Sequence, residues 1–290
     1  MLGFVVRRAL RRLHPLRDSN PIPGELRGWR WDEPPIRPSA YLGLGVSEVA
    51  YRYCSTMRDV WLRRRGVKGA FSNAMTMGLV VHEVFHYAAS DLRILLSRSM
   101  KPWDAYRILY DRAETRFKGK PAWARELYRS LILMWAGESA GSTIIHGGIG
   151  IGWLPWISEY RVDGSPLGLS SSLRVDALGD AGVVVDIKYG RRDRRQRVGL
   201  AGYALALEAE LEAPFDYGVI IHVEDVERGN PRISVEPVYI SGELRQDFIE
   251  ARDDVIEMLL EGVEPPVAGS CPDTCPFLRE CHNGGWGKSA

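Results

Sequence analysis

The first half of the chain repeats apolar positions with the period of an α-helix. In residues 76–98 apolar side chains recur every three or four positions, so one face of a helix there can be buried. The same pattern predicts helices over 47–65, 103–117 and 122–140. Residues 20–38 contain five prolines, which predicts an extended arm ahead of this helical region.

The second half contains shorter runs that are rich in β-branched residues and are bounded by turn residues. The predicted strands are 156–163, 167–178, 182–190, 217–223 and 232–240. One predicted helix, 196–212, separates the third strand from the fourth, and an acidic helix over 243–262 follows the last strand. Strands combined with helices in this way predict an α/β fold.

These changes along the chain predict four regions. They are a basic and proline-rich arm at 1–40, a helical region at 41–150, a strand-containing core at 151–242, and a C-terminal helix with a cysteine-containing tail at 243–290.

Composition and charge fit an ordinary globular protein. The first residues place a short apolar run before four arginines, which is the reverse of the order in a signal peptide. No run approaches the roughly 20 apolar residues of a membrane span, so we expect a cytoplasmic protein. The net charge is only +1, yet residues 191–197 (RRDRRQR) carry five arginines. Arginine clusters suit phosphate because the guanidinium group binds it through paired hydrogen bonds.

Residues 82–86 read HEVFH, which matches the His-Glu-x-x-His signature of zinc peptidases. On a helix His82 and His86 lie one turn apart and can share a metal, and Glu83 can hold the attacking water. A short motif of this kind also occurs by chance in buried helices. The peptidase hypothesis would require a third metal ligand further along the chain.

A second group of polar residues follows an apolar strand. Asp186 and Lys188 alternate onto one face of GVVVDIKYG, and Asp176 lies ten residues upstream on the neighbouring strand. Two carboxylates and a lysine suit metal-assisted hydrolysis of a phosphodiester, in which the acids hold Mg²⁺ or Mn²⁺ and the lysine orients water. The alternative is a surface ion pair. For the carboxylates to share a face, Asp176 must pair opposite Asp186, which requires a connecting loop of odd length.

The cysteines form an unequal set, with Cys54 far from Cys271, Cys275 and Cys281. A disulfide framework is not expected in a cytoplasmic chain. Zinc sites usually take cysteines in close pairs, whereas long-range thiolate supply is typical of iron–sulfur proteins. The residues alone leave zinc open. Either centre would join the helical half to the tail, so we expect a structural role.

Together these motifs resemble the PD-(D/E)xK nucleases, specifically the RecB-like branch. Asp176, the Asp186-x-Lys188 pair and Tyr203 on the following helix match its core motifs, and Gly78-Leu-Val-Val-His82 matches its upstream Gly-x-x-apolar-His motif. The order of the cysteines is also found in some members. The chain is most similar to the CRISPR-associated exonuclease family (Cas-four), in its archaeal type I-A branch.

This resemblance implies a restriction-endonuclease-like, mixed-sheet nuclease core with a C-terminal cysteine-cluster tail. It implies that Lys188, Asp176 and Asp186 are catalytic. The metal ligands would be His82, Asp176, Asp186 and the carbonyl of Ile187. The four cysteines would bind an iron–sulfur cluster, with 4Fe–4S preferred over 2Fe–2S.

The arginine run gains a role from its position directly after the Asp-x-Lys strand. We expect DNA phosphates to be bound there by residues next to the reacting bond: Arg191, Arg192, Arg194, Arg195 and Tyr203. The chain departs from the family at Gly199, where a glutamine is usual, and Gln196 lies one helical turn earlier. Whether Gln196 substitutes for it is open, as is a supporting role for His86 or Glu159.

Three functions are therefore distinguished. The first is a metal-dependent DNA exonuclease that processes DNA ends, most simply single-stranded ones, for CRISPR spacer acquisition beside the CRISPR integrase. The second is a DNA- or partner-binding module of the same complex with weak catalysis. The third is a zinc peptidase, which leaves Asp176, Asp186, Lys188 and the cysteines unexplained. The sequence leaves self-association open.

Overall fold

The computed structural model describes residues 2–145, 155–179, 182–190, 192–229, 231–272 and 275–282. The helices in these ranges are α1 (Leu2–Ser19), α2 (Val46–Ala50), α3 (Arg58–Arg64), α4 (Asn73–Ser97), α5 (Pro102–Arg116), α6 (Ala122–Ile145), α7 (Arg195–Leu211), α8 (Gly242–Glu261) and α9 (Leu278–His282). The strands are β1 (Ile157–Val162), β2 (Leu173–Gly179), β3 (Val183–Tyr189), β4 (Tyr217–Glu224) and β5 (Arg232–Tyr239).

The strands form one mixed sheet in the order β1-β2-β3-β4-β5. Neighbouring strands are antiparallel except for β3 and β4, which are parallel. A parallel pair needs a crossover, and α7 supplies it. The prediction of an α/β fold is confirmed at the level of a mixed sheet with helices.

Helices cover both faces of the sheet and make two apolar cores. The core on one face includes α4, α5 and α6, and the core on the other includes α2, α7 and α8. Strand β3 serves both, since Val183 and Val185 enter the first core and Val184 enters the second. Asp186 and Lys188 continue the face of Val184, so they point toward α7 from inside the sheet.

The predicted helices at 76–98, 103–117 and 122–140 are confirmed as α4, α5 and α6, and four of the five predicted strands are confirmed within a few residues. The strand predicted over 167–178 is shorter, because β2 begins only at Leu173, after a 3-10 helix over Ser165–Leu167 and a turn. The continuous helix predicted over 47–65 is wrong, because the chain leaves the helix between α2 and α3. Arg52 and Met57 both adopt positive φ there, at 42° and 59°. The carbonyl oxygens of Tyr51 and Arg52 accept hydrogen bonds from Arg195 instead of continuing a helix.

Helix α1 is a second difference, because its residues were assigned to the basic arm. It packs against β5, β4 and α6, and Val6 enters the core between α4 and α6. Val6 therefore lies on the side of α1 that faces the core. None of the helices in the described ranges has the length and hydropathy that a membrane span requires.

The proline-rich arm is held against the molecule by two buried arginines of α8. Arg245 donates to the carbonyl of Leu26 at 3.2 Å and to both carboxylate oxygens of Glu208, at 2.7 and 2.9 Å. Arg252 donates to the carbonyl of Ile36 at 2.6 Å. Gly28 lies so close to α7 that an added Cβ would stand 2.0 Å from the carbonyl oxygen of Leu205, so only glycine fits there.

The Glu208 network predicts a large loss of stability for a small chemical change. Glu208 is fully buried and is bonded to Arg245 and Arg27. Replacing Glu208 with Gln removes one of the two carboxylates that balance Arg245 and Arg27, the other being Asp216. We expect this change to cost about 3 kcal/mol of unfolding free energy. Urea denaturation measures the change.

The matched control is Glu212→Gln, because Glu212 lies exposed at the end of the same helix. We expect it to change the unfolding free energy by less than about 0.5 kcal/mol. Equal midpoints and slopes for the two variants would contradict the proposed role of the network.

Candidate active site

Helix α4 brings His82 to the sheet. Its first turn is capped by Ser72, whose side chain accepts from the Met75 N–H. Two turns later His82 Nδ1 lies 3.3 Å from Asp176 Oδ1 on β2. Burial lowers the pKa of His82, but the Asp176 carboxylate outweighs that effect and leaves the pKa raised. The upstream histidine and the first strand carboxylate are thus in direct contact.

The two carboxylates meet where β2 and β3 stop pairing. The ladder between these strands runs from Gly179–Val183 to Ala177–Val185. Continued by one position, this register sets Asp176 opposite Asp186. Strand β2 ends at Gly179 and β3 begins at Val183, so the connection has three residues, although Asp180 and Ala181 lie outside the described residues. The register of the ladder and the odd loop length agree with the prediction, whereas the Asp176–Asp186 pair itself lies one position beyond the last paired residues.

At that position the side chain of Asp176, and not a backbone group of β2, forms the hydrogen bond to β3. Asp176 Oδ2 accepts a hydrogen bond from the Ile187 N–H at 2.6 Å. The backbone donor that β2 leaves unpaired is therefore satisfied by the carboxylate itself. The bond fixes Asp176 beside the Asp-x-Lys segment. Metal binding by the Ile187 carbonyl stays a prediction.

Asp186 is almost fully buried, with 1% of its side chain exposed, and Lys188 Nζ donates to its Oδ1 at 2.6 Å. Burial raises the pKa of Asp186 to about 7, and the charge of Asp176 adds to the effect against the opposing charge of Lys188. Burial also disfavours the charged form of Asp176, but His82 and Lys188 outweigh it and lower that pKa to about 2. Crowded carboxylates of this kind favour a bound cation.

Two tyrosines enclose the lysine. Its Nζ lies 5.1 Å from the ring centroid of Tyr51, which follows α2. Burial, aided by the nearby Asp186 and Asp176 carboxylates, raises the pKa of Tyr51 well above its ordinary value. Burial, followed by Asp176, does the same for Tyr203 on α7. Sequence reasoning had matched Tyr203 to the family motif but had missed Tyr51, which no spacing rule indicates.

Tyr51 also accounts for the departure from the family at Gly199. A Cβ added to Gly199 would lie 3.2 Å from the Tyr51 ring. The space in which a longer side chain would stand is therefore filled by Tyr51. Gln196 is buried on the same helix, and its role stays open.

Glu159 on β1 forms a second potential ligand position. Its carboxylate and the polar atoms of His82 and Asp176 lie within 4.8 Å of one another, which makes these three a group able to hold a metal ion. Glu159 has φ 54° inside the strand, and it is left out of the β1–β2 ladder although Ser158–Ala177 and Tyr160–Val175 pair on either side. Backbone strain of this kind is concentrated at functional sites.

The residues of HEVFH have separate partners. His86 Nδ1 lies 2.9 Å from the hydroxyl of Ser158, and Glu83 forms an ion pair with Lys120 at 2.5 Å. Among the described residues, the group able to hold a metal contains His82 but neither of the other two. This geometry does not favour the zinc-peptidase hypothesis.

The arginine run is partly engaged in internal contacts. Arg192 donates to Glu224 at 3.0 Å and to Ser234, while Arg195 bonds the α2–α3 connection. Arg194 is exposed at the start of α7. Arg191 lies outside the described residues. Binding of DNA by this run therefore stays a prediction.

The cysteine tail lies on the α2–α3 connection that carries Cys54. Burial, with the neighbouring thiols of Cys54 and Cys281, raises the pKa of Cys271. The same causes, together with Cys271, raise the pKa of Cys275 against an opposing backbone hydrogen bond. The four thiols therefore belong to one neighbourhood, and each is half-buried and free of disulfides.

Two contacts dock this tail. The Ala70 N–H donates to the Pro276 carbonyl at 2.7 Å, and Arg58 donates to the Pro265 carbonyl at 2.6 Å. Arg58 also forms an ion pair with Glu264. The Tyr51–Cys54 segment consequently touches the lysine of the site at one end and the cysteine group at the other.

Comparison with known proteins identifies the family of this chain. The family model described as CRISPR-associated exonuclease Csa1 matches residues 1–285. A protein of that name from Thermoproteus tenax is 33% identical over 291 aligned positions, covering 96% of this chain and 98% of the relative. Another from Saccharolobus solfataricus is 29% identical over 270 positions, covering 89% and 91%. The chain belongs to the CRISPR-associated exonuclease Csa1 family.

Proposed function

We propose that this protein is a metal-dependent deoxyribonuclease that removes nucleotides from DNA ends. One observation carries the proposal: His82, Asp176, Asp186 and Lys188 come together from one helix and two strands. His82 contacts Asp176, Asp176 accepts from the backbone N–H of Ile187 next to Asp186, and Asp186 pairs with Lys188. The relatives from Thermoproteus tenax and Saccharolobus solfataricus are named as exonucleases, which supports the same activity.

Three residues of the site, His82, Asp176 and Glu159, lie close enough together to hold a divalent cation. Asp186 is outside that close group but next to it. Asp186 Oδ2 is buried and has no hydrogen-bond partner among the described residues, and a buried carboxylate oxygen without a donor is a natural ligand for a hard cation. We assign Mg²⁺ or Mn²⁺ to His82, Asp176, Asp186 and the carbonyl of Ile187. When bound, the ion supplies Lewis-acid activation of the phosphate and of water.

The protein's own groups position the water and offset charge. Lys188 is held by Asp186 on one side and by the ring of Tyr51 on another, so its ammonium group has a narrow range of orientations. An ammonium group there can orient the attacking water and stabilise negative charge on the phosphate as the bond breaks. Tyr203 and the arginines after β3, of which Arg192, Arg194 and Arg195 lie in the described residues, are proposed DNA contacts.

In the cell, we assign this activity to trimming of DNA ends, most simply single-stranded ones, for CRISPR spacer acquisition beside the CRISPR integrase. The family name, CRISPR-associated exonuclease, supports the setting. The alternative is a DNA- or partner-binding module with weak catalysis. The complete Asp176–Asp186–Lys188 set favours catalysis over that alternative.

We also propose one metal centre on the four cysteines. The donor set is all thiol, and the neighbouring thiols contribute to the raised pKa of Cys271 and of Cys275, which supports one neighbourhood. The four sulfur atoms are nevertheless not close enough to one another to form a metal-holding group in the described residues. Thiolates supplied from distant parts of a chain suit an iron–sulfur cluster, with 4Fe–4S preferred to 2Fe–2S and zinc as the third candidate. The centre would hold the Tyr51–Cys54 segment, and through it Tyr51, against Lys188.

The first test is substitution within and beside the site. We expect His82→Ala, Asp186→Asn and Lys188→Ala to lower the cleavage rate on labelled single-stranded DNA with Mn²⁺ by at least about a hundredfold, because each removes a group that acts at the reacting phosphate. Omission of the divalent ion or addition of EDTA should abolish cleavage of the wild-type protein.

Glu83→Gln is the matched control, because Glu83 lies on the same helix next to His82 but is paired with Lys120. It should keep cleavage within about threefold of wild type. If the protein were a zinc peptidase, Glu83→Gln would abolish its activity, because Glu83 would hold the attacking water. Loss of DNA cleavage in Glu83→Gln together with an active His82→Ala protein would overturn the assignment.

The cysteine centre has its own test. Anaerobically purified protein should contain iron and absorb visible light, and Cys54→Ala should lose both and unfold at a lower temperature, since metal binding is coupled to folding. Full iron content in Cys54→Ala would remove Cys54 from the centre. Stoichiometric zinc without iron in the wild-type protein would replace the cluster by a zinc site.

A further inference from the structure

We propose that Arg161 and Arg174 form a clamp for a DNA backbone phosphate beside the candidate active site. Neither residue belongs to the family motifs or to the arginine run after β3. The choice of DNA as the ligand rests on the proposed function. The position of the two arginines rests on the geometry of β1 and β2. The two residues are called the arginine clamp below.

The arginine clamp is a pair of like charges placed face to face. Arg161 on β1 and Arg174 on β2 are direct partners in the antiparallel ladder, so their side chains leave the sheet on the same side, about 5 Å apart at Cβ. Like charges in this arrangement destabilise a sheet. A bound anion between them turns that repulsion into attraction.

Both side chains face the cleft that contains His82. The cleft has a volume of about 430 Å³, is widely open, and is lined by Leu79, His82, Glu83, His86, Glu159, Arg161 and Arg174. Helix α4 forms one wall, and strands β1 and β2 form the other. The arginine clamp and the candidate metal ligand thus share one surface.

The spacing along β2 suits a phosphate next to the reacting one. Arg174 precedes Asp176 by two residues, and two residues of a strand span about 6.6 Å. An extended arginine side chain has a reach comparable to that step, so a DNA strand whose reacting phosphate lies at Asp176 has its adjoining backbone within reach of Arg174. Paired N–H groups of arginine match the oxygens of a phosphate.

The two arginines differ in how they are held. Arg174 lies 3.6 Å from Glu159, which sets its direction toward the site, whereas Arg161 is exposed and forms no ion pair with any described residue. Other arginines of the sheet are neutralised by closer partners, as Arg197 is by Glu236 at 2.6 Å. Leu79 on the facing helix is 61% exposed and offers apolar surface to a sugar or base.

The test measures DNA binding without cleavage. Fluorescence anisotropy of a fluorescein-labelled oligothymidylate, in EDTA, gives the dissociation constant over a range of KCl concentrations. For the double variant R161A/R174A we expect the dissociation constant to rise by at least about tenfold. Each phosphate contact to a single strand contributes about 0.7 to the slope of log K against log salt, so we expect the slope to fall by about 1.4.

The matched control is R228A/R232A, which removes two exposed arginines near the opposite edge of the same sheet. It should leave affinity within about twofold of wild type and the slope unchanged. The single variants R161A and R174A should each show about half of the slope change of the double variant, so the test does not depend on the double variant alone. Because a repulsive pair is removed, the melting temperature of R161A should equal or exceed that of wild type.

The outcomes separate the clamp from the proposed function. A slope and affinity for R161A/R174A equal to those of R228A/R232A would overturn the clamp, as would a wild-type protein that does not bind the oligothymidylate. A wild-type protein that binds with the expected slopes but cleaves no DNA with Mn²⁺ would keep the clamp and remove the proposed nuclease activity.

Discussion

Two carboxylates placed side by side, one buried (Asp186) and one largely buried (Asp176), are the constraint on which the rest of the site depends. Asp176 and Asp186 occupy the position where β2 and β3 stop pairing, and a carboxylate takes over a backbone donor there. Such a pair is costly unless positive charge faces it. His82, Lys188 and the proposed cation supply that charge, which explains why one helix, one lysine and the end of a ladder meet at this point.

The surrounding fold keeps this arrangement from relaxing. Helix α7 and the arm before α2 are fastened by buried arginines, above all Arg245 with Glu208. The break between α2 and α3 sets Tyr51 over Lys188 and leaves Cys54 with the tail. If the cysteines bind one metal centre, that centre stabilises the segment that carries Tyr51. A structural cofactor would then affect catalysis by holding the Tyr51 ring against Lys188.

Sequence patterns predicted most of the framework, because apolar periodicity reports burial directly. They identified α4 to α6, the strands (with β2 predicted to start too early) and the register of the β2–β3 ladder, and the family motifs singled out residues now found close together. They failed where long-range contacts override local preference. The helix expected through residue 52 is broken by positive φ and by hydrogen bonds from Arg195. Helix α1 was not predicted, because its arginines suggested a basic arm. Tyr51 and the Arg161–Arg174 pairing depend on tertiary geometry that no spacing along the chain expresses.

The central claim is that Asp176 and Asp186 share one cation with His82. Anomalous diffraction from crystals soaked in Mn²⁺ tests it most directly, because it locates the ion independently of any activity. The account predicts one strong peak at about 2.1–2.3 Å from Asp186 Oδ2 and from an oxygen of Asp176, with His82 as a further ligand. A peak shared by His82 and His86 beside Glu83, with both aspartates empty, would contradict it.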